Sequence, residues 1–164
     1  MSAVLTFPQR SAQRPARVHA ELERQPVHVA NDWMQAVAVE CGRHSTLCPP
    51  IFDFLKRTGL LSRCVLIASD PGGPLTWRYV GEPTVSVMGR AWGRENLGRP
   101  VTVDERADFG DSMNTSYAEA IDTGRPLVNR VRLFGHASPL VYLHSLIGWK
   151  ASDGRRAVLS CVQL

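Results

Sequence analysis

Residues 127–164 read LVNRVRLFGHASPLVYLHSLIGWKASDGRRAVLSCVQL. Branched and aromatic side chains dominate three runs, near 127–134, 141–149 and 156–164, and such side chains pack well on a pleated surface. Gly135-His136-Ala137-Ser138-Pro139 separates the first two runs and Ala151-Ser152-Asp153-Gly154 the last two. Asp-Gly is a favoured hairpin pair because glycine takes the positive φ that a tight turn needs. Three strands are expected here, the last two as an antiparallel hairpin.

Upstream the same grammar recurs once. Residues 63–69 (RCVLIAS) and 75–80 (LTWRYV) flank the turn Asp70-Pro71-Gly72-Gly73-Pro74. Leu75, Trp77 and Tyr79 alternate with Thr76, Arg78 and Val80, which predicts a second hairpin. From 81 to 103 the glycines at 81, 89, 93 and 98 break the chain into short helical turns and loops. From 104 to 123 a helix pattern returns: Met113, Tyr117, Ala120 and Ile121 share one face at i, i+4, i+7 and i+8. Gly124 followed by Pro126 ends it. Two strands, helices, then three strands predict an α+β fold, with a five-stranded antiparallel sheet covered on one face by the middle helices.

The N-terminal part reads differently. Residues 1–30 are rich in Arg, Gln, Pro and Ala and are expected to be a disordered arm. Residues 31–42 predict a helix capped by Asn31 or Asp32, with Trp33, Met34, Val37, Ala38 and Cys41 on one face and Gly42 ending it in the left-handed conformation. Residues 50–58 predict a second helix, with Pro50 in its first position, Ile51, Phe54 and Leu55 as its stripe, and Gly59 as its stop. The expected organisation is an arm (1–30), flanking helices (31–61) and a folded domain (62–164).

Composition narrows the classes of function. The chain has 164 residues, 44% hydrophobic and 21% charged, the proportions of one globular domain. The net charge is +4, and only Lys56 and Lys150 are lysines. The basic residues are scattered, with no run interleaved with aromatics, so specific nucleic-acid binding is not expected. Apolar runs are too short to cross a membrane, and the start lacks a basic leader with an apolar core; a cytoplasmic protein is expected. Cys41, Cys48, Cys64 and Cys161 form no C-x-x-C pair and read as reduced thiols.

Four segments carry a resemblance to the PAS domain of small bacterial proteins. Leu75-Thr76-Trp77-Arg78-Tyr79-Val80-Gly81 resembles that family's second strand and following turn. Glu95-Asn96-Leu97-Gly98-Arg99-Pro100 is similar to the turn before its long helix. Residues 117–126 (YAEAIDTGRP) resemble its helix end, and Asp153-Gly154-Arg155 its last turn. The resemblance covers about 62 to 164. It implies a non-enzymatic sensor in signal transduction, acting by protein–protein interaction, commonly as a homodimer, with a partner protein and a possible small apolar ligand.

Trp77, Tyr79, Met88, Trp92, Met113, Tyr117, Tyr142 and His144 are placed to line a ligand pocket between sheet and helices, or simply to fill the core. His144 is also the residue that a metal or haem sensor would use. No cofactor is evident: the helix region Glu95–Arg99 lacks the cysteine of flavin-binding PAS domains, and 104–123 lacks the histidine of haem-binding ones. Cys41, His44 and Cys48, with Cys64, have the ligand types of a zinc site but not its standard spacing. No motif joins a nucleophile, a base and an orienting group, so no catalytic residue is assigned. The enzymatic alternative is a small α+β cone of the isomerase type, with a carboxylate from Asp104, Glu105, Asp108 or Asp111 facing the pocket. For Trp33, Met34 and Val37 two destinations are open, a homodimer interface or a lid on the chain's own sheet; the PAS resemblance favours the interface.

Overall fold

The computed structural model describes residues 18–102, 107–108, 110–135 and 139–164. Residues 136–138 lie outside them, as do the carboxylates of Asp104, Glu105, Asp108 and Asp111. Strands β2 (Cys64–Ala68) and β3 (Thr76–Val80) form the first hairpin, and β5 (Leu127–Phe134), β6 (Leu140–Lys150) and β7 (Arg156–Gln163) the final meander. Between them lie the helices α3 (Glu82–Met88), α4 (Arg90–Asn96) and α5 (Gly110–Thr123). The class is α+β.

The sheet is larger than the five strands expected. Strand β1 (Val18–Gln25) comes from the stretch read as a disordered arm, and pairs antiparallel with β5 from His19↔Phe134 to Gln25↔Val128. A two-residue strand, β4 (Ala107–Asp108), runs parallel to β1. The order is β3-β2-β7-β6-β5-β1-β4, with every other pairing antiparallel. Ala20 and Leu22 give β1 its reason to dock: both face the helical layer while Glu21 and Glu23 face away, the period-two alternation of a half-buried strand.

Helices lie on both faces. On one face α4 and α5 close over Ile67, Val131, Leu146 and Val158 with Trp92, Met113, Tyr117 and Ile121. On the other, α1 (Asp32–Cys41) and α2 (Pro49–Arg57) bring Met34, Val37, Ile51 and Leu55 onto Val128, Ile147, Leu159 and Cys161. Each aliphatic side chain so buried contributes about 1.5–3 kcal/mol. Met34 and Val37 are wholly buried within the chain, which corrects the expectation that they sit between subunits. Trp33 is half-buried beside them; its Nε1–H donates to Gln163 Oε1 at 3.1 Å, and the Arg63 guanidinium stands 5.5 Å from its ring centre. Gly42 also differs from expectation: its φ is −65°, so α1 ends without a left-handed residue.

One irregularity redirects a side chain. Ile67 pairs with Trp77, but Leu66 pairs with Tyr79, leaving Arg78 as an extra residue on β3. Such a bulge shifts the alternation by one. Trp77 and Val80 face the α5 layer, and Tyr79 turns to the opposite face with Leu66.

Candidate functional site

The layer between the sheet and α5 contains a cavity of about 40 Å³. Since a water needs roughly 10–15 Å³ of such space, it admits a few water-sized groups before any side chain moves. Trp77 from β3, Trp92 from α4, Met113 and Tyr117 from α5, and Tyr142 and His144 from β6 all line it. These are six of the eight pocket residues expected from sequence. Tyr79 is excluded by the bulge, and Met88, at the end of α3, packs on the rim of the same apolar layer without reaching the cavity. Sequence reasoning missed Thr84, Asn114 and Ser160, which supply polar edges to the lining.

Aromatic contacts fix the walls. Trp77 and Trp92 meet edge to face, with ring centres 5.5 Å apart at 74°. Tyr142 and His144 do the same at 6.2 Å and 76°. Such pairs add about 0.5–1.5 kcal/mol beyond area burial and hold ring orientation. Burial pushes the Tyr117 phenol well above its usual range, and that of Tyr142 likewise, so both stay protonated at neutral pH. The Trp77 Nε1–H is buried and has no hydrogen-bond partner among the described residues.

Behind the cavity runs a polar relay absent from the sequence reading. Glu119 on α5 holds both terminal nitrogens of Arg24 on β1, each at 2.7 Å. Arg24 Nε–H donates to Asn129 Oδ1 on β5 at 2.7 Å. Asn129 Nδ2 lies 2.8 Å from His144 Nε2. A guanidinium has only donors, so the amide must turn its oxygen to Arg24 and its NH₂ to the histidine. His144 is 1% exposed; burial, aided by the positive charge of Arg24, drives its pKa down to about 3. The ring is therefore neutral, with its Nε2 lone pair already engaged.

The zinc constellation does not assemble. Cys41 faces the apolar layer under α1, where burial first and the neighbouring Cys64 second push its thiol up to about 12. His44 Nε2 lies 3.5 Å from Glu40 Oε1, and Cys64 Sγ sits 3.9 Å from Cys161 Sγ across β2 and β7. Among the described residues no three His, Cys, Asp or Glu side chains converge as metal ligands. No carboxylate lines the cavity among the residues described. No helix among them is long and apolar enough to cross a membrane.

Compared with known proteins, the chain matches no family model and no curated sequence.

Proposed function

We propose that the chain is a PAS-like sensory module whose cavity between sheet and α5 takes a small, uncharged, largely apolar ligand. The observation that carries this reading is the cavity itself. Two tryptophans, two tyrosines and a methionine surround it, and a neutral histidine with Thr84, Asn114 and Ser160 supplies polar points. Apolar walls with a few placed polar groups are the usual make-up of a small-molecule site. Leaving aside β1 and the two-residue β4, the order of two strands, helices and three strands, laid side by side as β3-β2-β7-β6-β5, supports the PAS reading. In that reading the module works as a homodimer on a partner protein, and no residue is assigned to catalysis. Because α5 contributes both to the cavity wall and to the clasp on β1, occupancy has a structural route to the sheet edge.

Native mass spectrometry of freshly purified protein, beside its absorption spectrum, tests the reading. A co-purifying small molecule, released on unfolding and lost in Met113→Trp, is the expected result. If none co-purifies, a panel of uncharged four- to six-atom compounds should still shift the indole signals of Trp77 and Trp92. Failure of both overturns it.

A further inference from the structure

We infer that the cavity selects ligands bearing a hydrogen-bond acceptor, such as a small ketone, because its histidine is locked as an Nδ1–H donor by the Glu119–Arg24–Asn129 relay. This inference rests on the cavity's being a ligand site and adds the chemistry of what it takes. Each link of the relay fixes the next. Glu119 takes both terminal nitrogens of the Arg24 guanidinium, and Arg24 Nε–H donates to Asn129 Oδ1. The amide then has only its NH₂ to offer His144, and that group can meet Nε2 at 2.8 Å only if Nε2 is unprotonated. A neutral imidazole carries one proton, so it sits on Nδ1.

The cavity lining thereby carries one ring N–H whose role cannot change, His144 Nδ1–H. The Trp77 ring also lines the cavity, but its Nε1–H is buried away from it, with no partner among the described residues. The lining hydroxyls of Thr84, Tyr117, Tyr142 and Ser160 rotate and serve either role, and the Asn114 amide offers both, so the fixed donor is the imidazole. No Asp, Glu, Lys or Arg stands among the lining residues described, so none of these offers a counter-ion to an ammonium or a carboxylate. What fits is an uncharged compact molecule with a carbonyl or equivalent acceptor on an apolar frame. A hydrocarbon of the same shape would leave the His144 donor unsatisfied, which is costly.

The test uses ¹⁵N-labelled full-length protein and an isosteric pair, cyclopentanone and methylenecyclopentane. Long-range ¹H–¹⁵N spectra read the His144 tautomer directly. The Nδ1–H form is expected, and an Nε2–H form overturns the inference. The Trp77 indole signal, assigned with Trp77→Phe, then reports binding. Cyclopentanone should bind about tenfold tighter than methylenecyclopentane, read from the concentration at which that signal shifts. Equal or tighter binding of the hydrocarbon sinks the donor assignment and leaves the ligand site standing. Binding of neither compound, with the Nδ1–H tautomer in place, counts against the ligand site itself and takes this inference with it.

Discussion

Gly148 on β6 lies directly against the backbone of Ala120 on α5, with no space between them for a side chain. A Cβ at 148 would run into the Ala120 carbonyl and the Ile121 amide nitrogen, which are backbone atoms and cannot rotate away. This contact sets how closely α5 approaches the sheet, and hence the height of the cavity that Met113 and Tyr117 close.

Gly148→Ala should therefore destabilise the fold by about 1–3 kcal/mol, the range for forced overpacking. Thermal unfolding followed by circular dichroism measures it. A melting temperature equal to that of the parent would show that α5 can lift without cost, and that the cavity height is not set here.

The N-terminal strand should depend on one arginine. Arg24→Ala removes the donor that Asn129 Oδ1 needs at a position only 1% exposed. A buried acceptor left unpaired costs about 1–3 kcal/mol. Glu119→Ala should cost clearly less, since its carboxylate is solvent-exposed and the Arg24–Asn129 bond remains. Hydrogen exchange at Leu22 and Val131 amides, together with denaturant unfolding, compares the two variants. Equal losses would place the stability in the surface ion pair rather than in the relay.

Stability should fall in mild acid because of His144. Its folded pKa lies near 3, whereas an unfolded histidine titrates near 6.5. Between those values the unfolded chain binds the extra proton and the folded one does not, so stability rises with pH across the window and is lost as pH falls below about 6.5. One such proton gives a slope of up to about 1.4 kcal/mol per pH unit. Glu119, held below the carboxylate range by its bond to Arg24, adds a loss in the same direction at lower pH. His144→Gln keeps an acceptor for Asn129 and removes the titration. Chemical denaturation from pH 7 to pH 4.5 should show a flatter profile in this variant. Parallel profiles would mean that the imidazole gains protons without opening the fold.

How much of this was legible in the sequence depends on the range of the interaction. The two hairpin turns and the α5 stripe are local, and Asp153-Gly154 and Met113–Tyr117–Ile121 state them outright. Strand β1 was not legible as a strand, because Ala20 and Leu22 are apolar anchors set among charged neighbours; the alternation His19-Ala20-Glu21-Leu22-Glu23 was the available signal. The bulge at Arg78 arises from pairing register between β2 and β3, so period-two counting placed Tyr79 on the wrong face. The relay joins Arg24 to Asn129 across 105 positions and to Glu119 across 95, and no local pattern encodes such a meeting. His144 was singled out for its chemistry, but its proton's position follows only from those distant partners.

The α1 face gives the last prediction. Val37 is wholly buried against the chain's own sheet, and Trp33 is pinned by Gln163 and Arg63. Trp33→Asp combined with Val37→Asp puts a carboxylate into the apolar layer beside Ile51 and Leu159, where an unpaired charge is strongly disfavoured. The double variant should lose cooperative unfolding or aggregate, rather than become a well-folded monomer. Val39 supplies the control: it lies on the outer side of the same helix and is 62% exposed. Val39→Asp should leave the melting temperature within about 0.5 kcal/mol equivalent of the parent, the usual span for surface changes. If copies pair through the outer side of α1, light scattering should show Val39→Asp as a folded monomer beside a dimeric parent. A folded, monomeric Trp33→Asp/Val37→Asp protein with an unchanged melting temperature would overturn the docking of α1 on its own sheet.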